Sequence, residues 1–207
     1  LYDPRYKFIR VYTQIGPVYV VQIKCALKGF TMTRTKLVEK QEGTDAIKKT
    51  YSCFEKKFGL VPNLYKVYAA WPEMFQVMKN QYHVLFETGR VDRLTKEMIA
   101  IFVSRINNCQ YSNVWHTMFI RQAGDCEELI SSIREDYKNA PISDKHKAVL
   151  TFSDRLTKIP YAVTDAEVDD LKHFGYSDVE ILEITMVVSY CNAENREVLA
   201  LGVDFEG

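Results

Sequence analysis

From residue 44 onward, apolar positions recur at spacings of three and four, the signature of amphipathic helices. Ile47, Tyr51, Phe54 and Phe58 form the first stripe, with Thr44 as an N-cap, Asp45 in the first turn and Gly59 as the stop. Val61-Pro62-Asn63 reads as a loop. Pro72 suits a first helical turn and opens a second stripe of Met74, Val77, Met78, Tyr82 and Leu85, closed by Gly89. Asp125-x-x-Glu128, Thr164-x-x-Glu167 and Ser177-x-x-Glu180 read as capping-box starts, the Asp form being the weakest. Gly124, Gly175 and Gly202 fall just past helix ends. The pattern predicts helices over 44–58, 72–88, 93–107, 109–123, 126–138, 143–158, 165–173 and 178–200. The expected fold class is an all-α bundle with short connections.

Residues 1–31 break this pattern. Tyr, Val and Ile are dense there, with basic residues between them and no 3.6-residue period. A strand, an irregular arm and a short helix from Pro17 are all compatible with it. A polar stretch from Met32 leads into the helices. The expected division is an N-terminal extension over 1–43, of which 1–31 suits subunit contacts, and a helical domain over 44–207.

Composition narrows the function classes. The 207 residues carry 27 basic and 27 acidic side chains, a balance that argues against a generalised nucleic-acid binder. Apolar residues make up 47% and charged residues 26%, as in an ordinary globular chain long enough to fold without metal or disulfide staples. The longest apolar-rich stretch, 15–23, is too short for a membrane span and contains Pro17. The mildly apolar block at 18–27 lacks a small-residue cleavage site, so no secretory leader is expected and a reducing cytoplasm is the default. Five widely spaced cysteines, at 25, 53, 109, 126 and 191, do not form a disulfide framework. They are then free thiols. His83, His146 and His173 show no metal-ligand spacing, and no glycine-rich phosphate loop is present, so neither metal nor cofactor is expected. The Met and aromatic stripe at 74, 75, 78, 82 and 86 reads as core or subunit interface rather than a cofactor box.

Candidate chemistry concentrates between Leu94 and Gly124. Cys109, Ser112 and His116 are separated by three and four residues and share one helical face. Cys109 falls in a first turn, where free N–H groups and the helix dipole favour a thiolate. His116 has the chemistry of a proton acceptor near neutral pH. Glu97, on the partner helix of an αα-hairpin, is placed to fold back and orient the imidazole. A thiol, a base and a carboxylate that orients the base make an activation relay. The plainer readings are a buried apolar cysteine, a core histidine and a surface carboxylate beside Lys96. Ser112 has no nucleophile-elbow motif, which argues against a serine hydrolase.

Glu97-x11-Cys109-x-x-Ser112-x3-His116 resembles the alkylhydroperoxidase D (AhpD) signature, Glu-x11-Cys-x-x-Cys-x3-His. Lys57-Phe-Gly-Leu-Val-Pro-Asn-Leu-Tyr65, Arg105-Ile-Asn-Asn-Cys109-Gln-Tyr111, and Asn195-Arg196 followed by Leu201-Gly202-Val203 are similar to the peroxidase-related branch of the carboxymuconolactone decarboxylase-like superfamily. The resemblance covers about residues 44–205. It implies an AhpD-like helical bundle, with a helical hairpin carrying the active site, that assembles into trimers or hexamers. It also implies a peroxide substrate and a thiol or dithiol reductant. In active members the Glu–His relay deprotonates the second cysteine, which attacks the peroxide, and the first cysteine then forms a disulfide with it. Carried over, Glu97 and His116 would be the relay and Cys109 the resolving thiol.

The attacking position here is Ser112, and a hydroxyl has no counterpart of the thiol oxidation ladder. Three readings stay open: a cysteine replaced to silence the site, a natural loss that leaves Cys109 as a single peroxidatic thiol, and a non-redox member that kept the fold. Sestrins resemble the second case. The alternative activities are a carboxymuconolactone decarboxylase-like acid–base enzyme using His116 and Glu97, and a non-catalytic oligomeric scaffold. Cys126 and Cys191 read as structural, Cys191 being a substitute resolving thiol only if the fold brings it near Cys109.

Overall fold

The computed structural model describes the backbone of residues 7–13, 16–22, 33–122 and 127–206. Strands β1 (Lys7–Thr13) and β2 (Gly16–Gln22) pair antiparallel, with Lys7 opposite Gln22 and Thr13 opposite Gly16. Among the described residues of the N-terminal stretch, 7–13 and 16–22 adopt strand, one of the three conformations compatible with its sequence, and Pro17 lies in β2 rather than opening a helix.

The helices are α1 (Asp45–Phe58), α2 (Asn63–Tyr68), α3 (Pro72–Tyr82), α4 (Arg93–Ile106), α5 (Gln110–Gln122), α6 (Glu127–Asp136), α7 (Asp144–Lys158), α8 (Asp165–His173) and α9 (Asp178–Leu201). The body is the all-α bundle that the periodicity predicts. The Thr44 hydroxyl accepts from the Ile47 N–H, and the boxes at Thr164/Glu167 and Ser177/Glu180 both form. The box at Asp125, together with Gly124, Cys25 and Cys126, lies outside the described residues.

Two elements differ from expectation. Asn63 opens the short helix α2 instead of ending a loop; six residues are too few to show a period, but Leu64, Val67 and Tyr68 are buried by it. The stretch 72–88 is not one regular helix. After Tyr82 the chain widens into a π-helical turn, His83–Glu87, a feature common at functional sites.

The chain forms two compact units, one of residues 1–79 with 200–207 and one of residues 80–199. In the first, Tyr51 is fully buried, packs edge-on to Phe75, and donates its hydroxyl to the Val38 carbonyl at 3.0 Å. The C-terminal residues return to this unit: the Asn63 side-chain amide donates to the Asp204 carbonyl, and the Asp204 N–H donates to Thr33.

In the second unit α4 is the central helix, buried at every position from Thr95 to Ser104. A helix enclosed on all sides must be apolar nearly all round. Met98, Ile101 and Phe102 of α4 pack with Ile120 of α5, Ile130 and Ile133 of α6, Tyr137 and Leu150 of α7. Each such side chain contributes on the order of 1.5–3 kcal/mol when fully buried. Against this background the consecutive charges Lys96 and Glu97, each 1% exposed, stand out.

Candidate active site

All four sequence-predicted residues lie in the second unit and are buried: Glu97, Cys109, Ser112 and His116. The turn between α4 and α5 places the thiol. Asn107 ends α4, and Asn108 takes a left-handed conformation with φ 54°. The Asn108 N–H bonds to the Arg105 carbonyl at 3.1 Å and the Cys109 N–H to the Ser104 carbonyl at 2.9 Å, which together close a Schellman motif. The Cys109 carbonyl then accepts from Asn113 and begins α5. Cys109 is therefore the N-cap of α5, one position ahead of the first turn expected for it.

A cap side chain faces the free amides of the helix it starts. Burial is the largest influence on the Cys109 thiol and pushes its pKa up; the Ser112 hydroxyl and the Ser112 and Tyr111 amides pull against it, and the Glu194 carboxylate adds to the rise. The expected thiolate at this helix start is thus a neutral thiol at rest, because desolvation outweighs the amide cradle.

His116 and Glu97 meet as the hairpin geometry predicts, Nδ1 to Oε2 at 2.6 Å. Both are almost fully enclosed, so the plain surface reading of Glu97 is overturned. The other Glu97 oxygen accepts from Arg93 Nε at 2.6 Å, one helical turn earlier. Arg93 also donates to the Phe86 carbonyl at 2.7 Å and to the Tyr82 hydroxyl at 2.9 Å. Arg93 and His116 thus engage the two Glu97 oxygens, one each, and the contact orients the imidazole ring.

The imidazole stacks on Phe86 at 5.4 Å and meets Phe119 edge-on at 6.0 Å. Tyr82 and Phe86 belonged to the stripe read as core or interface; they also frame the buried pair. Burial, with the Glu97 charge behind it, pushes the Tyr82 phenol upward.

Helix α9 closes the site with a residue that sequence reasoning missed. The Cys109 thiol donates to Ser112 Oγ at 3.3 Å, and Ser112 Oγ donates to Glu194 Oε1 at 3.2 Å. Burial holds the Glu194 carboxyl above its ordinary range, while His116, Tyr190 and Ser112 pull it back. The available signal was a Glu on the apolar face of α9 that also carries Cys191, Asn195 and Val198.

Amides fix α9 in register with the hairpin. Asn107 Nδ2 reaches Asn192 Oδ1 at 3.0 Å and Asn195 Oδ1 at 3.1 Å, and Asn195 Nδ2 reaches Ser104 Oγ at 3.2 Å. Cys191 is buried on this face; burial, then Glu194, Glu97 and Cys109, push its thiol well above the ordinary value. Cys53 is exposed on α1. His83 pairs with Glu87 at 2.8 Å. Among the described residues no group of three or more His, Cys, Asp or Glu could hold a metal ion, and no helix is long and apolar enough to cross a membrane.

Residues 72–136, from α3 through α6, match the carboxymuconolactone decarboxylase family. This span contains Glu97, Cys109, Ser112 and His116 and stops short of Glu194. An uncharacterized peroxidase-related protein from Silicibacter sp. TM1040 superposes with a TM-score of 0.79 at 26% identity, over 89% of this chain and 96% of that one. A peroxidase-related protein with an alkylhydroperoxidase AhpD core, from Ralstonia eutropha JMP134, gives a TM-score of 0.80 at 22% identity, over 85% and 93%. The debrominase Bmp8, in complex with 2,3,4-tribromopyrrole, shares the fold with a TM-score of 0.73 at 15% identity, over 86% and 95%. Over residues 72–136 the chain is thus similar to the carboxymuconolactone decarboxylase family, and its fold is the one shared by these AhpD-like, peroxidase-related structures.

Proposed function

We propose that the chain is a thiol peroxidase of the AhpD kind, in which Cys109 is the single attacking thiol. The observation that carries this reading is the Arg93–Glu97–His116 array on the same hairpin as a capped, amide-cradled thiol. A buried carboxylate held by an arginine and committed to orienting an imidazole is costly to desolvate, and such arrangements cluster where chemistry is done.

The sulfur donates an electron pair to the terminal oxygen of a hydrogen or alkyl peroxide, and the O–O bond breaks. Cys109 becomes a sulfenic acid, and the leaving alkoxide takes up a proton to depart as an alcohol, or as water from hydrogen peroxide. A thiol donor condenses with the sulfenic acid, releasing water and leaving a mixed disulfide, and a second thiol equivalent restores Cys109. Two donor thiols are oxidised per peroxide reduced. Such a cycle suits a reducing cytoplasm. Ser112 removes the partner thiol that would let an internal disulfide form, so turnover depends on the external donor.

Within this reading residues 44–207 form the AhpD-like domain and 1–43 an extension, and the chain acts as a homo-oligomer, a trimer or a hexamer. The shared fold of Bmp8 leaves the substrate to be decided by the site. The test is peroxide consumption with a dithiol donor. The unaltered chain is expected to turn over and Cys109→Ser to lose activity, while Ser112→Cys is expected to form an internal disulfide with Cys109. Equal activity in the chain and in Cys109→Ser would refute the proposal.

A further inference from the structure

The site holds two carboxylates, and the array proposed above uses one of them. Glu97 has both oxygens engaged, one by His116 and one by Arg93. Glu194 is joined to the thiol by two consecutive hydrogen bonds through Ser112. A hydroxyl is donor and acceptor at once, so it can accept a proton on one side and release one on the other. A thiol side chain at this position would be a poorer link, because sulfur donates and accepts weakly.

We propose that Glu194 is the proton acceptor for Cys109, reached through the Ser112 hydroxyl, so that Ser112 serves this site as a relay. The inference rests on Cys109 being the thiol that meets the electrophile. As sulfur attacks, the thiol proton passes to Ser112 Oγ and the serine proton passes to Glu194 Oε1. The carboxylic acid formed then returns a proton along the same path to the leaving alkoxide. The thiol and the peroxide together give a sulfenic acid and an alcohol, with no proton gained or lost.

Three features support the assignment. The enclosed thiol is neutral at rest and needs a base to react. Glu194 is buried, which makes it a stronger base than an exposed carboxylate. Its charged and titratable neighbours are His116 of α5, Tyr190, Cys191 and Glu197 of α9, and Cys109 itself. Glu194 acts through Ser112 and is a positioning residue for the proton, not a group that touches the peroxide.

The test follows Cys109 oxidation by tert-butyl hydroperoxide and, separately, its alkylation by iodoacetamide, across pH, in the full chain, Glu194→Gln and Ser112→Ala. The full chain is expected to show a rate inflection at the ionisation of Glu194, above the ordinary carboxylate value. Both variants are expected to lose that inflection, to react roughly 10²-fold more slowly near neutrality, and to converge with the full chain where the thiol ionises unaided. Two variants guard against a Gln substitution that disturbs folding. An unchanged profile in Ser112→Ala overturns the inference, as does a Glu194→Gln profile that is lowered equally at every pH with the inflection intact. If peroxide fails to react while alkylation keeps the Glu194-dependent inflection, the relay stands and the peroxidase reading falls.

Discussion

Nδ1 of His116 lies 2.6 Å from Oε2 of Glu97, with both side chains sealed from solvent and the carboxylate's other oxygen held by Arg93. The contact fixes the orientation of the imidazole ring. Glu97→Gln would present an amide in place of an acceptor-only carboxylate and remove the charge that Arg93 balances. Peroxide turnover is expected to fall roughly 10²-fold, within the range for positioned acid–base groups. Steady-state assays with a fixed donor concentration check this; retention of full activity would separate the pair from the chemistry.

Glu194 also makes a stability prediction. Its folded pKa is raised above the ordinary value of 4.5, with burial the main cause. The folded state therefore binds more protons than the unfolded chain, and stability falls as pH rises through the window from 4.5 to the raised folded value. Glu194→Gln keeps an acceptor for Ser112 and removes this penalty. The variant is expected to melt above the parent at neutral pH, the difference shrinking below the ordinary carboxylate range. Melting curves in matched buffers across that window measure it.

Buried Lys96 pairs with the partly buried Glu183 and also donates to the Thr88 carbonyl at 2.7 Å. Glu183 accepts from the Arg90 and Val91 amides at 2.8 and 3.2 Å, and these bonds with Lys96 hold its carboxyl below the ordinary range against the opposing effect of burial. Lys96→Ala leaves that carboxylate without its cation and is expected to cost about 3–5 kcal/mol. Replacing both residues by apolar ones is expected to cost less than the single change, which chemical denaturation of the parent and the two variants would reveal.

Gly89 sits against the same carboxylate with φ 97°, a conformation L side chains rarely adopt. A Cβ there would collide with the Glu183 carboxyl group. Gly89→Ala is expected to destabilise by about 1–3 kcal/mol from backbone strain alone, with the displaced carboxylate adding to it. A denaturation midpoint equal to that of the parent would contradict the fit.

The helical body was legible in sequence wherever a stripe ran for three turns or a cap was polar: Thr44, Gly59, Pro72, Thr164 and Ser177 all do what their chemistry predicts. The short helix from Asn63 and the π-helical turn at His83 escaped because periodicity over five or six residues does not separate one backbone winding from another. The hairpin residues of the site were legible because their spacing is local. Arg93 lies four residues before Glu97, within reach of the same rule, but an arginine near a helix start reads as a solvated charge. Glu194 is 82 residues from Ser112, and only the packing of α9 against the hairpin brings them together. The state of the Cys109 thiol also needed the structure, since helix position favours the thiolate and only burial reveals the opposing effect.

The most direct measurement treats the protein with one equivalent of an organic hydroperoxide and maps cysteine oxidation by mass spectrometry with a sulfenic-acid trap. Sulfenic acid is expected at Cys109, formed faster than on a free thiol under the same conditions and lost when excess dithiol is added. Oxidation of Cys109 no faster than that of a free thiol would contradict the assignment of Cys109 as the attacking thiol.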